Sequence, residues 1–156
     1  MRRVFNTTGV LVLLSTTLVL AQAKPNFTGK WTLTSPDAAS AGMNPSALTV
    51  SQDAKTIALV ATTQMGEIKT VVNLDGTPAK SPIEIQGMSI DRTTKSAWDG
   101  TKLVLTTVSD FQGQTFETKQ IWTLGTDGTL TIDSTRPDFT GGGGPVTEKL
   151  IYKKQS

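Results

Sequence analysis

The chain has 156 residues, with 15 Lys and Arg against 13 Asp and Glu, and it contains neither Cys nor His. Without thiols there are no disulfides, no thiol catalysis, no Cys-held metal and no lipid attachment through a cysteine. Without imidazole the usual general base and the commonest metal ligand are gone, so this inventory points to no catalytic group, no metal and no cofactor.

In chain order, the first element is an export segment. Arg2 and Arg3 form a positive start, Val10 to Leu20 an apolar stretch, and Ala21-Gln22-Ala23 a small-x-small cleavage site. Residues 1–23 therefore read as a cleavable signal peptide, which places the product in the periplasm or outside the cell. The apolar stretch is about half the roughly 20 residues that a membrane-crossing helix needs, and Ser15, Thr16 and Thr17 interrupt it. No second long apolar run follows, so no integral membrane segment is expected in the mature chain. Loss of Arg2 and Arg3 leaves 13 basic against 13 acidic residues. A near-neutral product does not carry the basic footprint of a nucleic-acid partner. Residues 24–156 are of ordinary single-domain size.

The mature chain reads as short strands separated by turns. β-branched residues recur in runs of five to ten bounded by Gly, Asp, Asn or Pro. The runs predict strands over Gly29–Thr34, Ala47–Gln52, Lys55–Thr62, Glu67–Leu74, Ile83–Gln86, Ile90–Trp98, Lys102–Ser109, Gln114–Leu124, Thr129–Ser134 and Val146–Lys153. Asp75-Gly76, Asp99-Gly100 and Asp127-Gly128 are each followed by Thr and suit tight hairpins. Calcium loops need further acidic positions that these lack. Ser35–Pro45 reads as a long loop. Gly141–Gly144, with no following Lys-Ser or Lys-Thr, reads as a flexible connection rather than a phosphate cradle. The pattern predicts an all-β antiparallel meander of about eight to ten strands closing into a barrel or half-barrel.

Alternation assigns the faces, because successive strand side chains point to opposite sides. In Gln114–Leu124 the inward set is Phe116, Thr118, Gln120, Trp122 and Leu124. In the last strand Val146, Glu148, Leu150 and Tyr152 share a face, and Ile68, Thr70, Val72 and Leu74 do so in Glu67–Leu74. Polar residues recur among the inward aromatics, which suits an interior that is partly solvated or occupied by a ligand. Arg92 shares parity with Trp98 and is a candidate inward charge for contacting a ligand.

The mature start, Pro25-Asn26-Phe27-Thr28-Gly29-Lys30-Trp31-Thr32-Leu33, carries Phe-x-Gly-x-Trp-x-Leu. It resembles the first strand of the calycin group, the lipocalins and intracellular fatty-acid-binding proteins. Trp98-Asp99-Gly100-Thr101-Lys102-Leu103, the set Trp122, Leu124, Asp127, Gly128, Leu130 and Ile132, and the ending Tyr152-Lys153 extend this. Together they resemble small exported bacterial lipocalin-like proteins of unassigned function, along essentially the whole mature chain. The resemblance implies a lipocalin-like or fatty-acid-binding-protein-like barrel whose first strand carries Trp31. In that setting Trp31 closes one end, and Gly29 lets a neighbouring backbone approach. Fatty-acid-binding proteins hold the ligand carboxylate with Arg-x-Tyr on the last strand. Here Tyr152 matches the Tyr, but Leu150 stands at the Arg position.

The expected function is non-covalent binding of a small apolar or amphipathic molecule, in a cavity lined by Trp31, Phe116, Thr118, Gln120, Trp122, Leu150 and Tyr152. The alternative is an envelope protein without a small ligand, acting as a structural or protein-interaction module. Catalysis is third. Asp110, Glu117, Asp133, Asp138 and Glu148 offer carboxylates, but most fall on turns or on the outward face, and no nucleophile motif accompanies them.

Overall fold

The computed structural model describes residues 23–35, 44–85, 87–138 and 144–156. Residues 1–22 of the expected 1–23 signal peptide, residues 36–43 of the Ser35–Pro45 loop, Gln86 and residues 139–143 lie outside the described residues. Within them there is no helix, and so none long and apolar enough to cross a membrane.

Eleven strands follow one another: β1 (Gly29–Leu33), β2 (Ala47–Gln52), β3 (Thr56–Thr63), β4 (Gly66–Asn73), β5 (Ala79–Lys80), β6 (Ile83–Ile85), β7 (Met88–Asp99), β8 (Lys102–Phe111), β9 (Gln114–Leu124), β10 (Thr129–Arg136) and β11 (Val146–Lys154). Every strand expected from the β-branched runs is present, with its ends moved by no more than two residues. β5 is the addition. Two residues between Pro78 and Pro82 are too short to show alternation, and only pairing of Ala79 with Thr94 and of Lys80 with Thr93 makes them a strand.

All pairing is antiparallel. The sheet runs β4-β3-β2-β1-β11-β10-β9-β8-β7-β5, with β6 pairing to β7 off this path. Two meanders therefore meet where β1 pairs with β11, Trp31 opposite Lys154 and Leu33 opposite Tyr152. The sheet curls into a nearly closed, lipocalin-like barrel. At its seam, β4 and β7 share no backbone ladder. Side chains bridge it instead: the Val71 N–H donates to Ser81 Oγ at 2.9 Å, and Ser96 Oγ donates to the Asn73 carbonyl at 2.5 Å. These bonds satisfy edge groups that would otherwise be exposed for pairing with another chain.

Turn chemistry differs among the three Asp-Gly-Thr sequences. Asp99 pairs with Lys102, so the β7–β8 loop is Gly100-Thr101, with Gly100 at φ +60° in the first loop position. That geometry favours glycine there. Asp75 and Asp127 instead accept hydrogen bonds from the Thr two residues later. Thr77 donates through N–H at 2.9 Å and Oγ1 at 2.7 Å, and Thr129 through N–H at 3.1 Å and Oγ1 at 2.7 Å. Only the tertiary course of the chain makes the first a two-residue hairpin and the others carboxylate-capped turns.

The core sits toward one end of the barrel, where β2–β3, β7–β8 and β9–β10 connect. Phe27, Trp31, Ile57, Val72, Leu103, Leu130 and Tyr152 are fully or almost fully buried. Each large apolar side chain removed from water in this way contributes roughly 1.5–3 kcal/mol. The Phe27 ring meets Trp122 edge-on with centroids 5.6 Å apart and stacks on Trp98 at 6.3 Å. The Trp31 indole N–H donates to the Phe27 carbonyl at 3.0 Å, which ties the segment before β1 across this end.

Trp31 thus closes an end of the barrel, but Gly29 acts differently from the expectation. A Cβ at Gly29 would stand 2.6 Å from Lys154 Cε, so the close neighbour is a side chain and not backbone. That stem carries the Lys154 ammonium to 5.7 Å from the Trp31 ring centroid, within reach of a cation–π attraction.

Candidate ligand cavity

Away from the packed end the interior opens into a cavity of about 400 Å3. Its mouth lies where β1–β2, β3–β4, β8–β9 and β10–β11 connect. The volume falls within the roughly 300–1,000 Å3 that small-molecule sites occupy. The inward parity of each strand builds the wall. Leu59 and Ala61 come from β3, Ile68 from β4, Ile90 and Arg92 from β7, Ser109 and Phe111 from β8, and Ile132 and Ser134 from β10.

Of the residues singled out from the sequence, Phe116, Thr118, Gln120, Trp122, Leu150, Tyr152 and Arg92 all line this cavity. Trp31 does not. It is 1% exposed and sits in the packed end, so it belongs to the plug and not to the wall. Parity correctly turns Trp31 inward but carries no information on depth along the barrel axis.

The polar groups of the interior divide into satisfied and unsatisfied sets. Gln120 Oε1 accepts from the Trp122 indole N–H at 3.1 Å, and the Tyr152 hydroxyl donates to the Pro45 carbonyl at 3.0 Å. Burial pushes the Tyr152 phenol well above its ordinary pKa, so it serves as a neutral donor. The Thr94 and Thr107 hydroxyls pair at 2.9 Å. At the rim, Arg136 pairs with Glu148 Oε1 at 2.9 Å, while Glu148 Oε2 accepts from Asn44 Nδ2 at 2.8 Å.

Arg92 is the contrasting case. Its half-buried guanidinium makes no hydrogen bond or ion pair among the described residues, and desolvation lowers its pKa below the ordinary arginine value. Arginine nevertheless keeps its proton in proteins. Among the described residues, the wall contains two cations, Arg92 and Arg136, and no carboxylate. None of the acids considered for catalysis is among the described lining residues, and Glu148 reaches only the rim. Asp110 and Glu117 are exposed, Asp133 lies 4.0 Å from Lys149, and Glu148 is committed to Arg136 and Asn44.

Asn44, Arg136, Ile90 and Phe111 are among the wall residues that sequence reasoning missed. Arg136 and Phe111 lie just past the expected strand ends at Ser134 and Ser109, so continuing each strand by two residues would have found them. Asn44 lies in a loop and carried no periodic signal. No family model matches this chain, and no curated protein matches it.

Proposed function

We propose that this protein is an exported carrier or receptor that binds a small apolar or amphipathic molecule non-covalently inside its barrel. The observation that carries the reading is a cavity of about 400 Å3 with a predominantly apolar wall, Leu59, Ile68, Ile90, Phe116, Ile132 and Leu150 among it. A barrel of this size can fill its interior with side chains, as the packed end here does. Leaving the mouth end unfilled forgoes dispersion contacts and burial that a filled interior would gain. A ligand of matching shape recovers them.

Export rests on the N-terminal sequence: the charged start, short apolar stretch and Ala21-Gln22-Ala23 site together support cleavage and a place outside the cytoplasm. Non-covalent binding rather than turnover is supported by a wall whose described residues include no carboxylate and by a chain without His or Cys.

Native mass spectrometry of the protein purified from its own host tests the reading, together with fluorescence of a hydrophobic dye in solution. A retained small-molecule mass, or dye binding displaced by an extract of the host envelope, is expected. A bare polypeptide mass with no dye binding would overturn it. A reproducible protein crosslink in cells would then favour the ligand-free interaction module.

A further inference from the structure

The chain carries one chemically labile pair three times, and the fold treats the copies differently. In an Asp-Gly pair the glycine amide nitrogen can attack the carboxyl carbon of the aspartate before it, because no Cβ on the glycine blocks the approach. Asp75-Gly76, Asp99-Gly100 and Asp127-Gly128 are each followed by Thr, and the chain contains no Asn-Gly to compete with them.

In two of the copies both reacting groups are tied down. Asp75 Oδ1 accepts from the Thr77 N–H at 2.9 Å and from its Oγ1 at 2.7 Å, and the Gly76 N–H donates to the Asn73 carbonyl at 3.4 Å. Asp127 Oδ1 accepts from the Thr129 N–H at 3.1 Å and from its Oγ1 at 2.7 Å, and the Gly128 N–H donates to the Gly125 carbonyl at 3.1 Å. The carboxyl must leave its donors, and the amide its acceptor, before nitrogen and carbon can meet. The bonds from Thr77 and Thr129 also hold both carboxyls below their ordinary pKa. That depletes the neutral acid, the form whose hydroxyl leaves as water.

Asp99-Gly100 has neither restraint. The Asp99 carboxylate makes no hydrogen bond or ion pair among the described residues, and the Gly100 N–H meets no acceptor there. Both residues are exposed at the β7–β8 turn. We infer that Asp99 is the site at which this protein modifies its own backbone, by succinimide formation with Gly100 and reopening to isoaspartate.

The Gly100 nitrogen forms a bond to Asp99 Cγ and gives up its proton, and the carboxyl gives up its hydroxyl, the two departing as water. Water then adds at the Asp99 main-chain carbonyl and breaks its bond to the Gly100 nitrogen. The main chain now runs through Cβ and Cγ, the former main-chain carbonyl becomes a side carboxylate, and the mass is unchanged. The assignment holds whatever the barrel carries. Its consequence lies in the packed end. The loop has only two residues, with Gly100 at φ +60°, and a hairpin this short has no slack for an extra main-chain carbon. Trp98, the residue before Asp99, stacks on Phe27 at 6.3 Å, so the distortion falls on the part of the barrel that is most tightly packed.

The experiment is ageing of the purified protein at physiological temperature and neutral pH, then digestion and peptide mapping with fragmentation that separates aspartate from isoaspartate. Conversion at Asp99 is expected to be about 10-fold or more faster than at Asp75 or Asp127, where two hydrogen bonds to the carboxylate add to the barrier. In concentrated urea, where the three Asp-Gly-Thr sequences share one environment, they should convert at similar rates. Thr129→Val takes one donor from Asp127 and should speed conversion there while leaving Asp99 unchanged. Conversion at Asp75 or Asp127 as fast as at Asp99 in the folded protein, or none at Asp99, overturns the assignment. A preference for Asp99 that persists in urea overturns it too, because local sequence and not the fold would then decide. The separated isoaspartate form is expected to melt below the intact protein, and an equal melting point overturns the link to the packed end.

Discussion

The two ends of this barrel are built from the same strands and use their interior differently. Toward the packed end, Phe27, Trp31, Trp122 and Leu103 leave almost no exposed area, and their polar atoms largely find partners within the plug. Toward the mouth, the wall residues Ile90, Ser109, Phe111 and Thr118 are only half-buried and surround open volume. One end therefore carries the stability of the fold, and the other is free to be shaped by what it holds. The division teaches that an inward-facing residue in a barrel is not by itself a binding residue. Its position along the axis decides whether it meets other side chains or open volume.

Substitutions at the two ends sharpen this contrast. The largest effect is expected for Trp31→Ala, which removes a fully buried indole and its hydrogen bond to Phe27. The loss should be about 3–5 kcal/mol in urea unfolding, and a loss below about 1 kcal/mol would mean that the plug does not hold the fold. Thr94→Val strands the Thr107 hydroxyl and should cost about 1–2 kcal/mol. Thr94→Val with Thr107→Val should recover most of that, because both partners are then apolar. A double variant as unstable as the single would show that the hydroxyl pair is not what the site requires.

At the mouth, Ile90→Ala enlarges space that is already open. It should cost about 1 kcal/mol or less, while changing the affinity for any hydrophobic dye the cavity takes up. A loss matching that of Trp31→Ala would erase the distinction between the ends.

The smallest effect comes from the turns. Hydrogen bonds from Thr77 to Asp75, from Thr129 to Asp127, and from the Lys55 and Thr56 backbone to Asp53 hold all three carboxyls below their ordinary pKa of 3.8. A carboxyl with a lowered folded-state pKa adds stability above its unfolded value, and that stability is lost as pH falls through the folded value. These contributions should therefore be complete above about pH 4–5 and decline only below pH 4. Changing the three to Asn should lower the neutral plateau of the melting-temperature profile slightly and flatten its acid limb, leaving the melting temperature at the lowest pH unchanged. An unchanged acid limb would remove these turns from the account.

Much of the fold was legible before any coordinates, for a definite reason. Strand alternation has a period of two residues, so Gln114–Leu124 reveals its inner face by itself, and Asp-Gly marks where strands turn. The same parity brought Phe116, Thr118, Gln120, Trp122, Leu150, Tyr152 and Arg92 to one wall. It could not separate Trp31 from them, because depth depends on the stagger of neighbouring strands rather than on any strand's own sequence. It did not reveal β5, whose two residues become a strand only by lying against Thr93 and Thr94. The rim cluster was equally hidden, since Asn44 reaches Glu148 across 104 positions of chain.

What the sequence determined alone is local: where the strands lie, where they turn, and which face of each points inward. Tertiary structure decided the rest. It set the side-chain-bridged seam between β4 and β7, the end that fills and the end that stays open, and the placing of Arg92 in the cavity wall. Each of these depends on distances between residues far apart in the chain. Those distances follow from how eleven strands stagger as the sheet curls, and no window of sequence contains that information.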